Sequence, residues 1–252
     1  MKKFELTTEF ITNVLGKKLF RIKALVEFGN VKAGELGGYV EKEGNVSQSG
    51  NAWVSGNAKV SGNAEVSGNA RVSGNAEVSG KAKVSGNAWV YGNAEVSGNA
   101  KVFGNSWVYD KSEVYDNARV SGNAEVSGNA WVYDDAKVSG NAKVFGNAKV
   151  HDKAKVYDDA KVYGNAEVSG KAKVSGNADY ALVQGFGTKF RCTTFYRGKN
   201  KKIMVNCGCF HGDLEEFRKQ VKETRSGKIA KEYLMIADLM EYHFASEDSS
   251  NE

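Results

Sequence analysis

The chain has 252 residues, of which 41% are hydrophobic and 26% are charged. This composition is sufficient for a buried core, and the length allows two small domains. The formal net charge of +5 is too small to indicate by itself a protein that binds nucleic acid.

The sequence shows no signal peptide and no transmembrane run, and it contains three cysteines, Cys192, Cys207 and Cys209. An odd number of cysteines without a signal peptide predicts reduced thiols in the cytoplasm and no membrane partner. Two thiols one residue apart, with no second pair, are a poor metal-site pattern. We therefore interpret the cysteines as ordinary strand residues and expect neither a metal nor a cofactor.

Residues 1–37 are predicted to form a small β-rich cap. Residues 4–11 and 18–25 are alternating, aromatic-rich runs, and a turn-forming stretch at 13–16 separates them. This pattern is typical of a hairpin or two short strands.

Between residues 50 and 180 the phrase Ser-Gly-Asn-Ala-x-Val recurs, with valine at position 54 and at every sixth position to 174. Side chains alternate along an extended strand, so Ala and Val of Ala-x-Val-Ser point to one side and x and Ser to the other. We predict four-residue strands with Ala and Val inward. Gly-Asn, or a variant such as Asp110-Lys111, tolerates positive φ and predicts a sharp bend after each strand.

Short strands that bend in one sense every six residues close a coil, and stacked coils form a parallel solenoid. The phrase, an aliphatic residue followed four places later by a small one, resembles the hexapeptide repeat of left-handed parallel β-helices. This resemblance implies left-handed, three-sided coils of 18 residues, about eight of them over residues 38–180. The predicted fold is an all-β solenoid with an N-terminal β cap and a C-terminal α+β module.

The flanking segments carry a narrower resemblance. The stretches are Leu19-Phe-Arg-Ile-Lys-Ala-Leu25, Ala33-Gly-Glu-Leu-Gly-Gly-Tyr-Val-Glu-Lys-Glu-Gly-Asn45 and Gly208-Cys-Phe-His-Gly-Asp-Leu-Glu-Glu-Phe217. They are similar to those of phage and prophage proteins that carry Gly-Asn-Ala repeats. The likeness covers most of the chain and implies a phage protein acting in the host cytoplasm.

Residues 181–245 are predicted to form an α+β cap or oligomerisation module, and residues 246–252 a disordered tail. Residues 181–186, 189–196 and 201–207 have strand patterns. Asp213 and Glu216 form a capping-box pattern that opens a helix to about residue 223. A second helix is indicated by an apolar stripe at helical spacing. The stripe contains Ile229, Tyr233, Ile236, Ala237, Met240 and Phe244.

Because three hexads complete a coil, x residues 18 positions apart are predicted to share a face. The basic face carries Glu65, Lys83, Lys101, Arg119, Lys137, Lys155 and Lys173. The acidic face carries Lys59, Glu77, Glu95, Glu113, Trp131, Lys149 and Glu167. The aromatic face carries Trp53, Arg71, Trp89, Trp107, Glu125, Lys143, Lys161 and Asp179.

Six successive cations on the basic face would lie about 4.8 Å apart and repel by about 0.9 kcal/mol per neighbouring pair even in water. Three outcomes remain open. Glu77, Glu95 and Glu113 of a neighbouring rod could neutralise the lower half, in the homotrimer that the hexapeptide resemblance implies. The upper half, Lys137, Lys155 and Lys173, could bind an anionic ligand such as a nucleotide. Alternatively, the whole face is simply solvated.

Exposed rings in mid-rod are candidate partner-binding or ligand-binding residues. They are Trp89, Tyr91, Trp107, Tyr109, Trp131 and Tyr133. Such rings serve in protein interfaces or stack on nucleobases, and aromatic ladders also stabilise sheets without binding anything.

Hexapeptide acyltransferases resemble this rod, but their general base is usually a histidine beside a loop extruded from a coil. The repeat has no insertion, and His151 replaces a Ser, Tyr or Phe as one more exposed variant. We therefore predict a non-enzymatic, oligomeric binding protein without catalytic residues. The phage resemblance favours counter-defence, either by sequestering a nucleotide immune signal or by binding a host protein. The alternative is a structural rod.

Overall fold

The computed structural model of the protein describes residues 1–176, 179–188, 191–198 and 202–245. Each repeat strand pairs in parallel with the strand 18 residues away, as Trp89 does with Trp107 and Lys101 with Arg119. The chain therefore returns to the same side of the rod after three hexads. The predicted β-solenoid of about eight three-sided coils is confirmed.

Three long sheets result, and their membership matches the three predicted faces. The acidic-face sheet contains Phe4–Thr12, Lys18–Ala24, Leu36–Val40, Lys59–Val60, Glu77–Val78, Glu95–Val96, Glu113–Val114, Trp131–Val132, Lys149–Val150 and Glu167–Val168. The aromatic-face sheet contains Trp53–Val54, Arg71–Val72, Trp89–Val90, Trp107–Val108, Glu125–Val126, Lys143–Val144 and Lys161–Val162. The basic-face sheet contains Glu65–Val66, Lys83–Val84, Lys101–Val102, Arg119–Val120, Lys137–Val138, Lys155–Val156 and Lys173–Val174.

The repeat strands are two residues long, so the predicted length of four was wrong. The alanine N–H donates to the carbonyl oxygen of the residue three positions earlier, as Ala58 N donates to Ser55 O at 3.3 Å. The alanine N–H therefore forms no hydrogen bond to the adjacent coil. The x residue keeps its ladder bond, as Lys59 N does to Ala76 O at 2.9 Å. Each side of the coil therefore has a short strand between two tight corners.

Each corner is a β-turn with positive φ at its first central residue, which is the pattern of a type II′ turn. Gly56 has a φ of 65°, and Asp110 takes the same conformation with a φ of 62°. Asp is one of the few residues besides Gly that adopt this region. The predicted bends are thus confirmed, with the positive φ on the Gly or Asp of each pair.

The corner asparagines have a different role, which the sequence interpretation missed. Their side-chain amides bond along the rod, as Asn87 Nδ2 donates to Asn105 Oδ1 at 2.9 Å and Asn105 Nδ2 to Asn123 Oδ1 at 3.0 Å. One such ladder runs along the corner between the basic and aromatic faces. Its members are Asn51, Asn69, Asn87, Asn105, Asn123, Asn141 and Asp159.

The predicted inward positions are confirmed, because the repeat valines are fully buried and the repeat alanines have at most 1% exposure. Two serines replace inward alanines, and the hydroxyl group of each donates a hydrogen bond to a backbone carbonyl. Ser106 Oγ donates to Phe103 O at 2.9 Å, and Ser112 Oγ donates to Tyr109 O at 2.8 Å. The core is therefore a stack of small side chains with no unpaired hydroxyl at these two places.

The N-terminal segment forms the predicted hairpin, in which Phe4–Thr12 pairs antiparallel with Lys18–Ala24. Leu36–Val40 joins this hairpin to the acidic-face sheet, and a 3-10 turn follows at Glu43–Asn45. Trp53 was expected to point outward and is instead 2% exposed. The rings of Phe4 and Phe28 cover it at 6.3 and 5.4 Å, so the cap buries the first aromatic-face residue.

The C-terminal module is a four-stranded antiparallel sheet with two helices. Its elements are Tyr180–Phe186, Arg191–Arg197, Ile203–Cys207, Phe210–Asp213, helix α1 at Leu214–Thr224 and helix α2 at Gly227–Phe244. The capping box is confirmed, with Glu216 N donating to Asp213 Oδ1 at 3.0 Å. The strand at 210–213 was not predicted. It pairs with Ile203–Cys207, so Cys209 lies in the connecting turn rather than in a strand.

This module closes the upper end of the rod. Tyr180 and Tyr196 are 7% and 1% exposed and belong to the solenoid core. Asp179 does not extend the aromatic face as predicted, because its carboxylate accepts from Ser175 N at 2.8 Å and from Gly176 N. The predicted tail at 246–252 lies outside the described residues.

We expect Val108→Asp to lower the free energy of unfolding by more than about 3 kcal/mol, because the carboxylate would be buried without a partner. Lys173→Asp places the same group on the exposed side of the last basic-face strand and should change stability by less than about 1 kcal/mol. Urea unfolding followed by circular dichroism measures both. Equal stability of Val108→Asp and the parent protein would contradict the inward placement of the valines.

Candidate functional site

The six predicted cations of the basic face lie in one exposed row. They are Lys83, Lys101, Arg119, Lys137, Lys155 and Lys173. Lys83 has a partner on its own face, since its Nζ lies 3.0 Å from Glu65 Oε2. Within residues 1–176, 179–188, 191–198 and 202–245, the other five form no ion pair. The repulsion between them is therefore not relieved by neighbouring carboxylates.

Three of these unpaired cations border a depression of about 330 Å³ at the corner between the acidic and basic faces. The residues around it are Asn117, Arg119, Asp135, Lys137, Lys153 and Lys155. Four cationic side chains thus surround the depression against one carboxylate. Sequence analysis missed Lys153, because it considered only the x positions of the repeat and Lys153 is a corner residue. Its position two residues before Lys155 in the same hexad could have indicated it.

The same corner continues into a second depression of about 410 Å³, which shares Asp135 and Lys153 and reaches Lys171. Here the corner asparagines of the lower coils are replaced by Asp and Lys. Asp152, at the glycine position of its corner, accepts from Gly170 N through Oδ2 at 2.9 Å and so caps the backbone of the next coil. This corner therefore has charged groups at 135, 153 and 171, where the two preceding coils have the amides of Asn99 and Asn117.

His151 was expected to be an exposed variant, but its side chain is only 16% exposed. Its ring stacks on Tyr133 with centroids 4.8 Å apart, and its Nε2 lies 3.0 Å from Glu167 Oε1. Asp134, His151 and Asp152 each offer an atom that could bind a metal, all within 4.8 Å of one another. Asp134 and Asp152 also accept backbone N–H groups, so we assign them a structural role.

The rings at the post-valine positions of the acidic face form a continuous stack. Tyr115 and Tyr133 lie 5.0 Å apart with nearly parallel planes, and His151 follows. Burial raises the pKa of Tyr133 to about 12, so its hydroxyl stays protonated at neutral pH. Trp131 packs edge-on against Tyr115, and Lys149 lies 5.0 Å above the Trp131 ring. Trp131 and Tyr133 therefore share a face with each other but not with Trp107.

The aromatic face brings Trp89, Tyr91, Trp107 and Tyr109 together. Trp89 stacks on Trp107 at 6.0 Å and Tyr91 on Tyr109 at 5.0 Å, while Tyr91 also meets Trp107 edge-on at 6.4 Å. The two Trp side chains are 42% and 44% exposed. Because these rings face one another along the rod, they present mainly their edges to solvent. A nucleobase has no room between them at this spacing.

A separate cavity of about 330 Å³ lies in the C-terminal module beside helix α1, bordered by Phe210, Phe217, Tyr233 and the Cys207 thiol. Neither the repeat nor the charge pattern predicted it, because it forms where the sheet meets the helices. The three cysteines are free thiols. Burial raises the pKa of Cys192, so that thiol is not activated.

A family model described as the YdcK beta solenoid repeat matches residues 64–80, which lie within the regular coils. The chain is a β-solenoid repeat protein. A search of curated proteins gives no match. Among the described residues, no helix has the length and apolar character needed to cross a membrane.

The hydrogen bond from His151 holds the pKa of Glu167 below its usual range. A carboxyl whose pKa is lowered by folding adds stability above its unfolded pKa of about 4.3, and loses it as the pH falls through the folded pKa. We therefore expect Glu167→Gln to destabilise the protein at pH 7 and to cost progressively less as the pH falls below about 4.3. Urea unfolding across this pH range measures the difference. Glu65→Gln removes a surface carboxylate that pairs with Lys83 and is the control, and a pH-independent cost for Glu167→Gln would contradict the assigned role of the bond.

Proposed function

We propose that this protein is a non-enzymatic β-solenoid that binds an anionic ligand of the nucleotide class at the corner between its acidic and basic faces. The observation that carries the proposal is the depression bordered by Arg119, Lys137, Lys153 and Lys155. None of these four cations forms an ion pair with a described residue. A phosphate group would supply the missing negative charge.

The spacing of the cations suits a chain of phosphates. Arg119, Lys137 and Lys155 come from three successive strands of one sheet. They span about 9.6 Å along the rod at about 4.8 Å per coil. Arg119 offers planar paired donors, and each lysine offers a compact charge. Linked phosphates lie closer together than successive coils, so the flexible lysine side chains would converge to meet two or three of them.

The phage-like flanking segments support a cellular role in the cytoplasm of a host cell. There, a rigid rod that holds a nucleotide without transforming it would sequester a nucleotide immune signal. No catalytic base is needed for this role. Binding without turnover distinguishes it from an acyltransferase of similar repeat architecture.

We expect triphosphate, added as the sodium salt, to bind the parent protein with an affinity that falls as salt is raised. Lys137→Ala and Lys155→Ala should each weaken binding by about tenfold, because each removes a charge-assisted contact. Lys101→Ala removes a cation of the same row outside the depression and should leave the affinity within about twofold. Calorimetry measures all four proteins, with ATP and a cyclic dinucleotide as further ligands. Absence of binding, or equal losses for Lys101→Ala and Lys155→Ala, would refute the site.

The lower half of the rod supports self-association. Glu95 and Glu113 form no ion pair with a described residue, and burial followed by the nearby Glu95 charge raises the pKa of Glu113. Lys101, which lies outside the depression, is at the coil level of Glu95 on the basic face. We propose a homotrimer in which the acidic face of one rod meets the basic face of the next.

Sedimentation should show an oligomer at low salt that dissociates as salt screens the paired charges. Glu95→Lys combined with Glu113→Lys should produce a monomer at every salt concentration, because like charges would then face each other. Lys59→Glu, which alters the acidic face beside the existing partner Glu77, is the control for a general effect of surface charge. A monomer at low salt would contradict this assembly.

A second candidate function is binding of a host protein, and the exposed rings support it. Trp89 and Trp107 are 42% and 44% exposed, and Tyr163 is 50% exposed on the same face. Exposed aromatic patches of this kind mark interaction surfaces. If triphosphate, ATP and the cyclic dinucleotide all fail to bind, this interpretation or that of a structural rod replaces ligand sequestration.

A further inference from the structure

The cavity beside helix α1 is formed by the C-terminal module and not by the rod. Its volume of about 330 Å³ is near the lower end of the range for ligand pockets, which is about 300–1,000 Å³. Two strands of the module contribute Cys207 and Phe210 to its border, and the two helices contribute Phe217, Val221 and Tyr233. These residues belong to the module's own core or pack against it, so the cavity is a feature of the folded module.

Three aromatic rings form an apolar wall of this cavity. Phe217 is 4% exposed, and its ring centroid lies 5.5 Å from that of Phe210 and 5.9 Å from that of Tyr233. Tyr233 meets Phe217 edge-on, and its hydroxyl group donates to Phe186 O at 3.4 Å. The three rings therefore support one another, and a backbone carbonyl fixes the outer one.

Two glycines allow rings of this wall to pack directly on the backbone. A Cβ atom at Gly212 would lie 2.8 Å from Phe210 Cζ, and one at Gly187 would lie 3.0 Å from Tyr233 Cζ. Gly187 also has a φ of 69°, a conformation that few other residues adopt. Close contact with the backbone thus holds both rings at the wall of the cavity.

The border of the cavity near the C-terminal end of helix α1 is polar. Gln220 and Thr224 lie one turn apart on that helix, and Arg225 follows its last residue. Arg225 is fixed at the helix end, because its backbone N donates to Val221 O at 2.9 Å and its Nη1 donates to Thr224 O at 3.0 Å. A guanidinium group has several further donors, and these remain for a ligand.

Arg225 has no carboxylate partner among the described residues. The ion pairs of the described part of the module involve other cations, namely Arg197, Lys202, Arg218 and Lys228. A cation at the border of a partly apolar cavity favours an anionic group, and a carboxylate can meet a guanidinium group through two parallel hydrogen bonds. The charge of Arg225 therefore indicates where the acidic end of a ligand binds.

The combination of three rings and one cation limits the chemistry of the ligand. A hydrocarbon would bury Gln220 and Arg225 without giving them a partner, which is unfavourable. A chain of phosphates carries several charges, whereas Arg225 is the one cation among the described residues that border the cavity. An aromatic ring packs edge-to-face on the Phe and Tyr rings, and a single carboxylate pairs with Arg225.

We infer that the cavity of the C-terminal module binds a small aromatic monocarboxylate, with its ring system against Phe210, Phe217 and Tyr233 and its carboxylate on Arg225. The site does not rest on the anion-binding depression, which is formed by strands and corners of the rod. No aromatic ring is among the described residues that border that depression. A ligand with one negative charge and a large apolar part therefore distinguishes the two sites.

The probe is 2-naphthoate, because it has two fused rings and one carboxylate. Calorimetry with the full chain should show saturable binding at one site, with a dissociation constant below about 1 mM. The neutral analogue 2-naphthamide has nearly the same shape and should bind about tenfold more weakly, because it cannot form a charge-assisted pair with Arg225. Octanoate keeps the carboxylate but has no ring, and it should also bind more weakly than 2-naphthoate.

Arg225→Gln should weaken binding of 2-naphthoate by about tenfold, and it changes an exposed side chain, so the fold should be kept. Lys222→Gln is the matched control. It removes a cation from the last turn of the same helix that does not border the cavity, and the affinity should stay within about twofold. Val221→Phe extends a bordering side chain into the cavity and should abolish binding. The melting temperature of Val221→Phe shows whether this variant is folded, and if it is not, the first two variants decide.

A parent dissociation constant weaker than about 10 mM overturns the inference. Equal affinities for 2-naphthoate and 2-naphthamide, or equal losses in Arg225→Gln and Lys222→Gln, overturn the role of Arg225. Parent-like binding by a folded Val221→Phe protein overturns the location, and tighter binding of octanoate than of 2-naphthoate overturns the assignment to an aromatic ligand. Triphosphate binding is measured separately, so failure here is distinguishable from failure of the proposed function.

Discussion

Each coil of the rod is held to the next by backbone hydrogen bonds in register, which place every residue directly against the residue 18 positions later. The x, Ser and Asn N–H groups all bond to the adjacent coil, as Lys59 N does to Ala76 O and Asn57 N to Gly74 O at 2.9 Å. This ladder requires coils of equal length. It therefore requires small inward residues, and a corner residue that accepts positive φ at each bend.

Because of this register, side chains of the same type at equivalent positions of successive coils form a row along the rod. Rows of asparagine are stabilising, because each amide both donates and accepts along the rod. Rows of rings are also stabilising, because planar groups stack at the coil spacing. The members of a row of lysines cannot bond to one another, since an ammonium group donates hydrogen bonds but accepts none. Lys83 is relieved by Glu65, but Lys137 and Lys155 are not, and their charge is the strongest physical reason to expect an anionic partner.

The two ends impose the other constraint, because an open coil exposes both core and backbone. At the lower end the hairpin covers Trp53 with Phe4 and Phe28. At the upper end the C-terminal module inserts Tyr196, and its Asn206 side chain donates to Glu167 O at 2.9 Å. The last regular coil is thus bonded to the module through both side chains and backbone. The C-terminal module also has a core of its own around Phe195 and Phe217.

The sequence alone determined the solenoid and the inward valines, because an uninterrupted six-residue period requires identical strands and corners. The three faces followed from the resemblance of that repeat to the hexapeptide repeat of parallel β-helices. It also placed the basic row and the mid-rod rings on separate faces. What only the tertiary structure decided is which neighbour each side chain meets. Trp53 is buried by the cap, His151 enters a stack of tyrosines, and Lys153 joins Lys155 at a corner depression. These contacts depend on the side chains of adjacent coils and on the capping segments, and periodicity carries no information about either.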